Sequence, residues 1–468
     1  MSKGAFVLIA PNSMAFRAIV NSDTLPILKQ KCDAEGYSNI FVLSPDNGSQ
    51  KNLPEYVIWR DFRFPSLNKQ NLPLLQRLYR SIRIRLEDWL GFSFKNLAYR
   101  FNEIHGFYAH EFKKSFSADR KNREEIAGNF VKTYYGFPLA KSARLYKFIN
   151  KIYYMKPFIV DANIHNFFLE EKIERLVFHY AQHSIFREYR HCAKKSKIPY
   201  VSIIGSWDRL TTKGPVCPDS KAYIVNTQVM ADELVSLHGI NKKHIHTVGW
   251  PQMDAYHDAD LQLTKDDFCQ KNHIDSQSHI IVFAGNSMRL GQHEPSIAEH
   301  ICQKIKNGAY EQKVHLLIRP HPLDNSWQER FAEANQNDFV TLMPAEMQNL
   351  PNMINTLLHC DLVIATQGSI TLDATAFNKQ VINLNFDGDL KKSIKESVKR
   401  LYQMDHYRPI INTNAVRLVD SFADLDLAIN HSLAEPNSLQ AERELLKEIE
   451  LEPCKGDSSA RQVNAMLS

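Results

Sequence analysis

The chain has 468 residues, 44% of them hydrophobic and 23% charged, which is the composition of a globular protein with enough length for two cores and excludes disordered and fibrous classes. The net charge is only +5, from 57 Lys and Arg against 52 Asp and Glu, so nucleic acid is not an expected partner. The charge is uneven: between Lys51 and Lys156 stand 21 basic and 9 acidic residues, which implies a local anionic partner.

The run from Ala5 to Ala10 is too short for a signal peptide and reads as a first buried strand. A polar loop (Asn12, Ser13) and a helix through Leu25 to Cys32 follow, then strands at Ile40–Leu43 and Tyr56–Trp59. A basic, Phe- and Tyr-rich helical interruption is expected from Leu72 to about Ile152. Within it Leu78, Ile82, Leu86, Trp89 and Leu90 form an apolar stripe flanked by Arg77, Arg80, Arg83 and Arg85, suited either to a core or to an anionic membrane surface. The α/β alternation resumes with strands at Leu176–Phe178, Tyr200–Ile204, Tyr223–Val225 and His244–Val248 and a helix through Tyr189 to Lys194.

A second alternation begins after His257–Asp266. Its strands are expected at His279–Ala284, Val314–Ile318, Phe339–Leu342, Leu362–Ala365 and Val381–Leu384, with helices at Pro295–Lys306 and Gln348–Leu358 and a helical tail from Phe422 to Ser468. The pattern predicts an α/β protein of two Rossmann-like domains, residues 1–256 (with the insertion at about 72–152) and 257–468. Seven scattered cysteines (Cys32, Cys192, Cys217, Cys269, Cys302, Cys360, Cys454), with no close pair, argue against a disulfide framework or a cysteine zinc site and favour a reducing, cytoplasmic setting. No apolar run approaches the roughly 20 residues of a spanning helix.

Ligands of open α/β sheets bind beyond the carboxyl ends of the strands, so the loops there carry the information. In the second half these loops present Gly285, Asn286 and Ser287 with Arg289, then Arg319 and His321 between prolines, then Gln367, Gly368 and Ser369 opening a helix near Ile370. Arg319 and His321 suit a diphosphate and its departure as a leaving group, and the Gly-Ser helix start offers free N–H groups. Ser369 can equally be a simple cap, and Asp373, one turn further on, can accept from ribose hydroxyls or pair with a lysine. In the first half, Ser206, Trp207, Asp208 and Lys213 follow a buried strand. Asp208 is a candidate general base for an acceptor hydroxyl, or a turn cap beside a packed Trp207. Asn12, Ser13 and Arg17 after the first strand complete an acceptor-side set.

These stretches resemble glycosyltransferases of the GT-B fold found with bacterial surface-polysaccharide biosynthesis. Ser206-Trp207-Asp208-Arg209-Leu210-Thr211-Thr212-Lys213-Gly214 is similar to their SWDNLT signature, with Arg209 in place of the usual Asn. Val248-Gly249-Trp250-Pro251-Gln252-Met253-Asp254 resembles the segment that precedes their second domain. Arg319-Pro320-His321-Pro322 resembles the HP motif of bacterial sialyl-, Kdo- and glycerophosphotransferases, and Gln367 to Ala374 and Pro409-Ile410-Ile411 onward are similar to the glycosyltransferase pattern.

The resemblance implies two facing Rossmann-like domains and transfer of a sugar from a CMP/CDP- or UDP-type donor to a glycan or lipid-linked acceptor. In that reading His321 and the serine loop contact donor phosphates, and no cofactor or metal is involved. Asp387-Gly388-Asp389 looks like the metal motif of the other glycosyltransferase fold, but it follows a second-domain strand. A nucleotide-sugar 2-epimerase and a non-catalytic nucleotide- or glycan-binding partner are the competing functions.

Overall fold

A computed structural model of the protein describes residues 3–45, 53–62, 160–182, 186–212, 216–288, 290–344, 346, 349–392, 396–451 and 455–468, with isolated positions between 74 and 82. The expected basic insertion lies almost wholly outside the described residues, as do Lys213, Arg289 and Cys454. Of the proposed apolar stripe only Leu78 and Ile82 are described, 57% and 58% exposed.

The chain divides into two compact units, Met1–Asp254 with Pro453–Ser468, and Ala255–Glu452. The first holds a seven-stranded sheet, β1 Ala5–Ile9, β2 Ile40–Ser44, β3 Val57–Asp61, β4 Ile173–His179, β5 Tyr200–Ile203, β6 Ala222–Val225 and β7 Ile245–Thr247, in the order β3-β2-β1-β4-β5-β6-β7. The second holds six strands, β8 His279–Ala284, β9 Val314–Arg319, β10 Val340–Leu342, β11 Leu362–Ala365, β12 Gln380–Leu384 and β13 Arg417–Val419, in the order β10-β9-β8-β11-β12-β13. Every neighbouring pair is parallel. Both orders reverse beside the first strand of the unit, between β1 and β4 and between β8 and β11, which is the Rossmann topology with its switch point.

Strands of such sheets are covered on both faces and therefore read as continuous apolar runs. The five residues of β1 are all buried, and so are the four of β11. In the second unit one sheet face carries Ile281, Phe283, Leu316, Ile318, Leu362, Ile364, Ile382 and Leu384 into a single core. By the two-residue period of a strand, Ala284, Arg319, Ala365 and Asn383 belong to the opposite face.

Three departures from the sequence reading have physical causes. The first helical stretch is two helices, Ser13–Val20 and Thr24–Glu35. Between them the Ser22 hydroxyl donates to the Ala18 carbonyl at 2.8 Å and to the Thr24 hydroxyl at 2.8 Å, side-chain bonds that compete with the helical ladder. The edge strand β13 was missed because it is three residues long and only one of them, Val419, is buried. The last helix, Ser458–Leu467, belongs to the first unit and not to the second, where the 257–468 boundary would put it. Its Val463, Ala465 and Met466 join the core of Phe6, Leu8, Leu28 and Ile224.

The same helix explains the Gly249…Asp254 segment. The buried Asp254 carboxylate accepts from the first-turn amides of that helix, Oδ1 from Ser458 N at 3.0 Å and Oδ2 from Ser459 N at 2.7 Å. A capping carboxylate satisfies orphan N–H groups and meets the positive end of the helix. Gly249 sits at φ +87° and a Cβ there would stand 2.5 Å from Ser458 Oγ, so glycine is required on two counts. Asp254→Ala should therefore lower stability by about 1–3 kcal/mol, read as the urea midpoint at unchanged m-value. An unchanged midpoint would mean that apolar burial alone holds the helix.

Candidate functional site

In the ladder of the second unit Ala284 pairs with Arg319 on one side and with Ala365 on the other. Three strand ends thus lie in one row, and the loops that leave them are adjacent across the switch point.

The first loop is folded upon itself. Ser287 O accepts from Leu290 N and Gly291 N, both at 2.8 Å. Asn286 uses its polar atoms within the protein: its N–H donates to Glu294 Oε1 at 2.7 Å, Oδ1 accepts from Ser287 N at 2.7 Å, and Nδ2 donates to Gln367 O at 3.1 Å. Asn286 is therefore a strut between the β8 and β11 loops, and Ser287 lends its amide to the same strut. Gln367 is held likewise, its N–H by the Tyr402 hydroxyl at 3.0 Å and its Nε2 by His406 Nε2 at 3.0 Å. Tyr402 donates onward to Leu384 O at 2.9 Å. Beneath them Tyr407 bonds Thr371 at 3.0 Å and Asn383 at 2.6 Å, fixing the helix Ile370–Ala376 to β12. Burial raises the phenols of Tyr402 and Tyr407 above the ordinary range, so they stay neutral links.

Ser369 occupies the N-cap of that helix with φ −65° and no side-chain capping bond. With seven residues the helix contributes little dipole, and Gly368 and Ser369 offer polar groups rather than a strong field.

The β9 loop carries the charge. Arg319 closes the strand, and burial pulls its guanidinium pKa down while Asp373 and Tyr256 nearby favour its charge. Among the described residues its guanidinium forms no hydrogen bond and no ion pair. Asp373 is bonded instead by the Tyr256 hydroxyl at 2.8 Å, and burial pushes its carboxyl up to about 6, against the pull of Tyr256 and Arg319. His321 Nδ1 accepts from Leu323 N at 3.0 Å. An amide only donates, so the hydrogen of a neutral ring is on Nε2, and the ring presents a donor. Behind the row, buried His293 meets Thr366 Oγ1 at 3.1 Å, and burial pushes its pKa down to about 4.

The structure thus assembles Gly285, Arg319, His321, Gly368, Ser369 and Asp373 at one end of the second sheet, framed by Asn286, Ser287 and Gln367. Asp387, of the Asp-Gly-Asp run, orders its own loop by accepting from Val398 N at 3.1 Å, with Lys392 Nζ at 3.7 Å. Among the described residues no cluster of three or more His, Cys, Asp or Glu side chains is placed to hold a metal.

In the first unit, Ser206 Oγ donates to Asp208 Oδ1 at 2.5 Å, and Trp207 is buried at 7% exposure. The Asp208 carbonyl accepts from Thr211 Oγ1 at 3.2 Å, so this loop turns into the short helix Arg209–Thr212. Buried His238 pins that helix by bonding Leu210 O at 3.0 Å while accepting from Val216 N at 3.1 Å. Asn12 is the N-cap of Ser13–Val20, its Oδ1 accepting from Ala15 N at 2.9 Å, and Arg17 lies half-buried one turn on. Of Ser13 only the backbone is described.

Sequence reasoning missed Tyr256, Glu294, Asp324, Arg330, Tyr402, His406 and Tyr407. None lies in a strand-end loop with an arresting motif, except Asp324, which stands three residues past His321.

No family model matches the chain, and no curated protein matches its sequence. Solved structures do share its architecture. A putative UDP-N-acetylglucosamine 2-epimerase from Listeria monocytogenes is 10% identical, with 100% of this chain and 96% of that one covered at a TM-score of 0.55. The S. aureus MnaA–UDP co-structure is 11% identical over 99% and 95% of the two chains, with a TM-score of 0.54. The wall teichoic acid polymerase TagF, soaked with CDPG, is 9% identical over 99% and 88%, with a TM-score of 0.50. The likeness is one of fold: the chain has the GT-B architecture of two Rossmann-like units.

Asp373 gives this site a measurable pH signature. Its carboxyl is raised from 3.8 to about 6, so it stabilises the fold most when protonated, and that contribution is lost as pH rises through about 6. Asp373→Asn keeps an acceptor for Tyr256 and removes the titration. The melting temperature of the variant minus that of wild type should therefore rise between pH 4.5 and pH 7.5. A difference independent of pH would show that the carboxyl is not strained by burial.

Proposed function

We propose that the chain is a nucleotide-sugar-dependent enzyme, and that it transfers the sugar to a glycan or lipid-linked acceptor in bacterial surface-polysaccharide synthesis. The observation that carries this reading is Arg319: a guanidinium largely withdrawn from water, at the end of a sheet, without a hydrogen-bonded anion among the described residues. Such a group is stabilised by a ligand that brings the missing charge, and its planar fork matches a phosphate. A sugar nucleotide supplies a diphosphate. As the bond from C1 to its oxygen breaks, charge develops on that oxygen, and Arg319 with the Nε2–H of His321 stabilises it. Ser369 and Gly368 offer further donors to the phosphates.

On the acceptor side the reading assigns Asp208, polarised by Ser206, as the base that takes the proton of the attacking hydroxyl. Asn12, Ser13, Arg17, Trp207 and Lys213 belong to the same side of the proposal. A lipid-linked acceptor would bring the protein to an anionic leaflet, and the basic composition of the segment between Lys51 and Lys156 agrees with that. Among the described residues no helix is long and apolar enough to cross a membrane.

The fold is shared with a putative 2-epimerase, so an acceptor-free assay separates the two reactions. An epimerase interconverts the sugar nucleotide alone, whereas a transferase releases nucleotide in step with acceptor.

Thermal shift with CMP, CDP, UDP and GDP at about 1 mM should raise the melting temperature with at least one of them, since a ligand that binds only the folded state stabilises by mass action. Arg319→Met should abolish that shift, and a wild-type protein unmoved by all four nucleotides would refute the nucleotide reading. His321→Ala should cut turnover by at least about tenfold, about 1.4 kcal/mol of transition-state stabilisation, with the fold intact. Full turnover in that variant would remove His321 from the chemistry.

A further inference from the structure

Beside the proposed anion site stands a second charged group, formed by Glu294, Asp324 and Arg330. Glu294 opens the helix Glu294–Lys306 and is fully buried, and Asp324 is 2% exposed. Arg330, at the end of the short helix Trp327–Arg330, lies between them. Its Nη1 donates to Asp324 Oδ2, its Nη2 donates to the Gly291 carbonyl, and Nη2 stands 3.5 Å from Glu294 Oε2.

Each carboxylate is tied to a different loop of the site. Glu294 Oε1 accepts the Asn286 N–H at 2.7 Å, and the Gly291 carbonyl belongs to the same β8 loop. The Asp324 N–H donates to His321 O at 2.8 Å, and Asp324 Oδ1 accepts from Ser326 N at 3.1 Å, closing the turn that carries His321. One rigid, five-donor fork thus reaches both loops. Lysine, a point charge on a flexible stem, lacks that geometry.

Burial pushes the Glu294 carboxyl up to about 8, with Asp324 adding to the rise and Arg330 opposing it. A guanidinium placed between two buried acids supplies the counter-charge such a cluster needs.

We propose that Arg330 is a positioning residue that locks the Asn286 loop and the His321 loop into a single preformed cradle for the phosphates of the ligand. The proposal rests on the nucleotide reading for the ligand, but the locking itself needs no ligand. Preformed donors lose no reorganisation energy on binding, so loosening the lock should weaken affinity without touching a contact atom.

Hydrogen exchange and nucleotide titration of the full chain test this together. In Arg330→Met the amides of Asn286, Leu323 and Asp324 should exchange at least about tenfold faster, while those of β8 and β11 keep wild-type protection. UDP or CDP, whichever binds wild type, should bind at least about tenfold more weakly. Glu294→Gln keeps an acceptor for the Asn286 amide and should leave that loop protected. Asp324→Asn should loosen the His321 turn alone. If Arg330→Met does not fold, the Asp324→Asn pattern decides: both loops loosened, or neither, overturns the proposal. Wild-type exchange in folded Arg330→Met overturns it as well, and so does loosened exchange with unchanged affinity. Failure of wild type to bind either nucleotide sinks the nucleotide reading, and the exchange pattern still decides whether Arg330 locks the loops.

Discussion

The register that sets Ala284 between Arg319 and Ala365 decides what the second unit can do. Parallel pairing makes the three strands end on the same side, at the β8–β11 reversal, and in open α/β sheets such a reversal is where ligands bind. Everything chemical in the unit follows from that row. Arg319 belongs to the face of Asn383, and Asn383 is bound through Tyr407 and Thr371 to the helix that carries Asp373. The guanidinium is therefore enclosed by the packing of the sheet, not by a motif of its own.

Around that row the polar groups fall into two kinds. Asn286, Tyr402 and His406 all bond Gln367, and Tyr407 bonds Thr371 and Asn383, which suits a frame, since a half-satisfied buried network costs more than an apolar one. Arg319 has no hydrogen-bonded partner among the described residues, and Ser369 makes no side-chain capping bond. The contrast is one of bonding and not of residue type, because an asparagine and a glutamine in a strand-end loop look equally suited to holding a loop or meeting a ligand.

Much of the architecture was legible because buried parallel strands announce themselves. β8 and β11 were placed to the residue at His279–Ala284 and Leu362–Ala365, where apolar runs end abruptly in Gly-Asn-Ser and Thr-Gln-Gly. What the sequence does not display is a partner distant in the chain. Asn286 stands in a strand-end loop suited to a ligand contact, and its bonds to Glu294 and the Gln367 carbonyl, 8 and 81 positions away, are visible only in the fold. Ser369 was weighed as a cap, a local question, and the structure leaves its hydroxyl without a capping bond.

The Asp254 cap on Ser458–Leu467 also orders events in time. The amide that Asp254 holds lies 204 positions later in the chain, and the helix it anchors supplies Val463, Ala465 and Met466 to the first core. The first unit is thus a discontinuous body, with the whole of the second unit threaded through it as an insertion. At synthesis rates of roughly 5–20 residues per second, that core waits about 10–40 s on the ribosome before its last piece is made. The flank of Leu28 and Ile224 that the helix will cover stays open meanwhile, and the second unit, contiguous in sequence, has everything it needs to fold first.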